Sequence, residues 1–258
     1  MSIVQERSGK MVSAAKGSVD PPASGTAPEA SGRRAPEPSM AGACGTYAPK
    51  DLRVSVEQIL RLQGYTDLAR VRPAVRNAAE TVTTMANRML AADARYRRVG
   101  IADCAGGVLT LVDGTRVRCD AFDRYLSGCR EIIAFVLTLG GGFDQVGSNL
   151  SASKQVLESL FLETVGWMAV EQATKRLLRH LGELVGPEGL VLTRRMAPGY
   201  SFSVGGRKCD WSLFEQPALF GIFRDVELPV RLLESGGMVP KMSRSGLYGL
   251  RPTPAEAS

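Results

Sequence analysis

Apolar residues between positions 73 and 92 recur at helical spacing, with Val75, Ala79, Val82, Met85, Ala86, Met89 and Leu90 on one face. Pro73 suits the first helical position, where the amide it lacks would be unpaired anyway. A helix is therefore predicted from Pro73 to about residue 92. A shorter one is expected after Ser55, because Gln58 three residues on completes a capping box ahead of Ile59, Leu60 and Leu62. Gly64 is a good stop for it.

The pattern then shortens. Residues 98–102, 108–112 and 115–119 are predicted as strands, with Asp113-Gly114 as a hairpin turn. A short helix is expected over 121–128. Residues 132–138 are apolar almost without a break, as in a strand buried on both faces. Gly140, Gly141 and Gly142 follow as a tight turn into a helix. They do not make a nucleotide-binding fingerprint, since Gln145 stands where the last glycine is needed and the P-loop lysine is missing.

One long helix is predicted over 151–184, with Leu157, Phe161, Val165, Ala169 and Ala173 stepping by four. Glu171 projects from its apolar side, so it is either solvated at the edge of the stripe or buried with a partner.

After the apolar run 190–192 comes Arg195-Met196-Ala197-Pro198-Gly199-Tyr200. Pro198 fixes its own φ and pushes Ala197 toward extended geometry, and Gly199 permits a turn with positive φ. Arg195 offers a planar fork for a carboxylate or phosphate, and Tyr200 a ring face and a hydroxyl. Together they could hold a small zwitterion with a flat base; on local chemistry alone, Pro-Gly more commonly marks a surface turn with an exposed arginine. Ser212 and Glu215 form a second capping-box pattern, before a helix through Leu219, Phe220 and Phe223 with Pro217 in its first turn. Residues 226–233 and 247–250 are predicted as strands.

Composition adds boundaries. Residues 1–49 are rich in Ala, Gly, Ser and Pro and poor in large apolar side chains, which predicts a disordered tail ahead of a folded domain over 50–258. The formal charge of +6 is modest for this length and fits an anionic ligand or an acidic partner. Two Trp and six Tyr give no aromatic ladder for stacking bases, so no nucleic-acid partner is expected. The cysteines number five, without a CxxC pair, which argues against a disulfide framework or a zinc site and for reduced thiols in a cytoplasm. The one histidine, His180, excludes two-histidine metal and protease motifs and is expected on the surface of the long helix. No apolar run approaches the ~20 residues of a membrane span, and no signal peptide is evident. No catalytic residue and no metal ligand is assigned.

Four segments, in order, resemble the activation (reactivation) domain of cobalamin-dependent methionine synthase, and especially its free-standing bacterial relatives. They are Phe135-Val136-Leu137-Thr138-Leu139-Gly140 with the helix after it, and Val165-Gly166-Trp167-Met168-Ala169-Val170-Glu171. Then come Arg195-Met196-Ala197-Pro198-Gly199-Tyr200 with Asp210-Trp211 and Gln216 following, and Glu234-Ser235 with Met238, Pro240, Ser243, Ser245 and Gly246. The resemblance implies a single α+β domain with a mixed sheet and packed helices. It implies S-adenosylmethionine as cofactor, with Arg195, Pro198, Gly199, Tyr200 and Glu171 as the binding residues. It also implies a cobalamin carried by a partner, either a methionine synthase or another corrinoid protein, and a flavodoxin-like reductant. The function implied is a subunit supporting reductive remethylation of cob(II)alamin. The alternatives are a non-catalytic module that docks on and shields a corrinoid protein, and a component of another corrinoid methyl-transfer pathway. The chain departs from the family pattern in three ways. It lacks a clear match to the N-terminal aspartate beside a tryptophan, it ends before the aromatic pair that completes the site, and it inserts residues 201–208. The corrinoid-ligand motif is absent as well, so the corrinoid is expected on another polypeptide.

Overall fold

The computed structural model describes residues 44–254 together with Gly42. Most of the stretch assigned to a tail lies outside these residues. Its end does not behave as a tail: β1 (Cys44–Tyr47) is a strand, antiparallel to residues 94–97. The fold therefore starts several residues before position 50.

Helix α1 (Val56–Leu62) begins at the expected capping box. Ser55 Oγ accepts from the Gln58 amide at 3.2 Å, and the Ser55 amide donates to Gln58 Oε1 at 2.9 Å. Replacing Ser55 with alanine should cost about 1 kcal/mol, measurable as a shift in urea midpoint with an unchanged slope. Helix α2 (Pro73–Met89) opens on its proline and buries Ala79, Val82 and Ala86.

The sheet follows, with β2 (Asp93–Ala105), β3 (Val108–Leu111), β4 (Arg116–Arg118), the single turn α3 (Phe122–Tyr125), and β5 (Glu131–Thr138). β2 is much longer than predicted, because arginines at 95, 97 and 98 hide its alternation. Ala94 and Tyr96 are buried beneath them while the arginines find partners outside the apolar layer. Beyond β5 come α4 (Gly142–Ala152) and α5 (Val156–Val185). The helix predicted over 151–184 is α5, which starts five residues later than expected, while α4 is the helix expected after the glycines. Lys154 takes a left-handed φ of 57°, and the Gln155 amide turns back to the Leu150 carbonyl at 2.9 Å, which closes a tight turn between them.

The remaining elements are β6 (Leu190–Leu192), the hairpin β7 (Ser201–Val204) and β8 (Arg207–Asp210), α6 (Gln216–Gly221), the short pair β9 (Arg231–Leu232) and β10 (Met238–Val239), and β11 (Ser243–Pro252). The strand expected over 226–233 shrinks to β9, since Pro229 interrupts the run with no amide to donate. The second capping box does not form. Ser212 Oγ accepts from the Phe214 amide, and the Glu215 carboxylate accepts from the Arg118 amide at 2.8 Å instead.

The main sheet runs β4-β3-β2-β5-β11-β6, with β1 also on β2. The class is α+β as expected, but every pairing among the described residues is antiparallel, where a mixed sheet was expected. The reason is topological. β5 and β6 run the same way across the α4–α5 connection, as in a parallel crossover, but β11 enters between them antiparallel to both.

Alternation then sorts the side chains. Ile133, Phe135 and Leu137 of β5 meet the layer of α1, α2 and α5, whereas Ile132, Ala134 and Val136 meet the opposite layer with Phe122, Trp211 and Leu219. His180 is not a free surface residue. Its ring stacks on Tyr47 at 4.2 Å and lies 3.4 Å from the Tyr96 hydroxyl, pinning β1 to α5.

Arg98 fixes the far end of α5. Its guanidinium bonds Glu131 of β5 at 3.0 and 2.6 Å and Glu188, just past the helix, at 2.6 and 2.7 Å. Its pKa is raised, chiefly by the hydrogen bonds it donates to Glu188, against the opposing effect of burial.

Candidate functional site

The Arg195–Tyr200 segment is a built loop. Met196 pairs with Leu247 of β11 through both backbone bonds, at 2.9 and 2.8 Å. Pro198 and Gly199 then occupy the middle of a turn closed by the Tyr200 amide on the Ala197 carbonyl at 3.3 Å. Gly199 has φ 83°, as a type II turn requires. The Gly199 amide and the Tyr200 carbonyl are both bound to the Trp211 backbone, so the loop is held on its far side as well.

Gly246 lets the loop sit this close. A Cβ there would lie 2.5 Å from the Met196 carbonyl oxygen and 3.3 Å from the Ala197 Cβ. Gly246→Ala should therefore lift the loop from β11 at a cost of about 1–3 kcal/mol. Chemical denaturation would read that loss, and the Met196 and Leu247 amides should lose hydrogen-exchange protection ahead of the rest of β11.

Arg195 is half-buried, and its guanidinium carbon lies 5.1 Å from the centre of the Tyr200 ring. Among the described residues it makes no salt bridge. Tyr200 is 46% exposed and lines a cleft of about 230 Å³ with Ala197, Pro198, Trp167, Met238 and Arg244.

Glu171 reaches the same region from the middle of α5. Of the two readings left open by its spacing, the partnered one holds, because its carboxylate accepts from Arg244 Nη1 of β11 and lies 3.9 Å from Lys175 Nζ. Burial alone would raise its pKa. The Arg244 hydrogen bond and charge, with Arg195 and Lys175 further off, outweigh burial and hold the carboxyl below its usual value. The buried Tyr248 hydroxyl is pushed up to about 12 by desolvation, and it feels Arg195, Arg244 and Glu171 together. The electrostatics thus tie Arg195 and Glu171 into one cluster although no bond joins them.

The structure brings Pro198, Tyr200 and the partner of Glu171 to one cleft, with Arg195 stacked on its wall. It also supplies Arg244, which the sequence reading did not single out. A charged residue between Ser243 and Ser245, two positions before the close-packed Gly246, was the available signal. Its register with Tyr248 turns it to the helix side of β11. Gln216, buried at the start of α6, donates to Ser245 Oγ at 2.6 Å on the other face and braces the same strand.

Among solved structures, the chain is similar to the crystal structure of the MetH reactivation domain bound to AdoHcy. The TM-score is 0.55 at 15% identity, covering 84% of this chain and 81% of that one. The fold is that of the MetH reactivation domain. Neither a family model nor a curated protein matches the sequence. No described helix is long and apolar enough to cross a membrane, and no group of metal-binding side chains occurs among the described residues.

Proposed function

We propose that this protein is a reactivation module that binds S-adenosylmethionine at the Arg195–Tyr200 loop and serves a corrinoid carried on a separate methionine synthase. The observation that carries this reading is the Arg195 guanidinium, which makes no salt bridge among the described residues and is held half-buried on the Tyr200 ring beside a cleft. A guanidinium with no salt-bridge partner among the described residues, fixed by a braced loop, is pre-organised for a ligand carboxylate. The Tyr200 ring and the apolar Trp167, Pro198 and Met238 offer faces for the ribose and base. The fold's likeness to a domain solved with AdoHcy supports the same ligand class.

The chain's own part is positional. Arg195 anchors the amino-acid end, the cleft wall orients the rest, and the methyl group is left facing the partner. Proximity of this kind supplies the rate, without a general base. When bound, the corrinoid supplies the methyl acceptor after a flavodoxin-type reductant has delivered one electron. The exposed Trp167, Leu213 and Phe214 around the cleft would lie against the partner.

The test is recovery of methionine synthesis by synthase trapped as cob(II)alamin, given reductant, S-adenosylmethionine and this protein. Recovery that requires all three supports the reading, and no recovery overturns it. The rival reading, a docking module without a ligand, is favoured by the same apolar rim. It predicts binding to the corrinoid protein with no heat on adding S-adenosylmethionine.

A further inference from the structure

The pairing of Glu171 with Arg244 changes what the cleft can hold. A carboxylate beside a cleft, such as Glu171 just behind the lining Arg244, would ordinarily be the counter-charge for a cationic ligand. Here Arg244, with a side chain 9% exposed, takes that carboxylate and itself lines the cleft. The other ionic groups nearby count for less, since the Lys175 and Lys241 side chains are 72% and 65% exposed and well screened. What remains unscreened is Arg195 and Arg244 against Glu171, a net positive charge. A ligand carboxylate on Arg195 can cancel part of it, but a sulfonium adds to it.

We infer that Arg244 is a specificity-determining residue that masks Glu171 and makes the cleft favour the neutral thioether, S-adenosylhomocysteine, over the sulfonium, S-adenosylmethionine. This rests on the proposed ligand site and deepens it. The consequence is retention of the demethylated product, so the module would be held in check as product accumulates. That suits a repair step performed once for each inactivated cofactor.

The experiment is calorimetric titration of the full chain with each compound, followed by the same titrations on Arg244→Gln, Arg244→Lys and Glu171→Gln, each first checked for folding by circular dichroism. The wild-type protein should bind the thioether about threefold or more tightly than the sulfonium, the effect of one partly screened charge. Arg244→Gln frees Glu171 and should abolish or invert that preference. Arg244→Lys keeps the charge and should keep it, and Glu171→Gln unmasks Arg244 and should widen it. A folded Arg244→Gln with the wild-type ratio overturns the inference, as does a wild-type protein that prefers the sulfonium. If Arg244→Gln does not fold, an unchanged or narrowed ratio in Glu171→Gln overturns it equally. Binding of neither compound removes the ligand site itself, whereas binding of both with a ratio indifferent to Arg244 removes only this inference.

Discussion

Arg98→Ala is expected to destabilise the domain by about 3 kcal/mol, the lower part of the range for removing one partner of a buried ion pair. The lower part applies because the partners are unequally buried. The Arg98 side chain is 6% exposed, but those of Glu131 and Glu188 are 20% and 41% exposed and can recover some hydration. The loss has two sources. Two carboxylates are left facing each other without their shared cation, and β2, β5 and the end of α5 lose the clamp that joins them. For a domain of this size the melting temperature should fall by roughly 6–12 °C. The effect should depend on pH in a definite direction. Glu188 has a lowered pKa, chiefly through its hydrogen bond with Arg98, so its contribution is present above the unfolded carboxyl value of about 4.3 and is lost as pH falls through the folded value. The gap between wild-type and Arg98→Ala should therefore narrow in acid. A gap that is constant from neutral pH down to acid unfolding would contradict the ion-pair account.

Arg195→Ala should leave stability nearly unchanged and lower affinity for S-adenosylmethionine by about 10- to 150-fold, the equivalent of a charge-assisted hydrogen bond of 1.5–3 kcal/mol. Stability should survive because Arg195 makes no salt bridge among the described residues. What it gives up is a stack on a half-exposed ring, and such exposed contacts contribute ~0.5–1 kcal/mol. Arg195→Lys should restore only part of the affinity, since an ammonium cannot present two parallel donors. Equilibrium dialysis together with thermal unfolding would separate the two effects. A large loss of stability with unaltered affinity would make Arg195 a structural residue.

Much of this architecture was legible in the residues. The helical stripe after Pro73, the Ser55–Gln58 cap, the Asp113-Gly114 hairpin and the buried strand ending at Thr138 are local signals, and local physics decided them. The failures share a cause, which is that the deciding partner lies far along the chain. Arg97 and Arg98 of β2 obscure its alternation until their carboxylates come from Asp225, from Glu131 of β5 and from Glu188 beyond α5. Cys44–Tyr47 looks like the end of a polar tail until Tyr47 meets His180. The sheet looks mixed until its last strand, β11, slips between β5 and β6. The site follows the same division. The Pro-Gly turn and its arginine were visible as a loop, but Glu171 could not be resolved between solvated and paired without Arg244, which is 73 residues away.

The most direct test of the ligand site is a crystal structure of this protein grown with S-adenosylhomocysteine. The account predicts the ligand in the cleft between α5, the Arg195–Tyr200 loop and β11, with its carboxylate about 2.7–2.9 Å from the Arg195 guanidinium nitrogens and Tyr200 along its side. Ligand bound elsewhere, or in that cleft with its carboxylate turned away from Arg195, would contradict it.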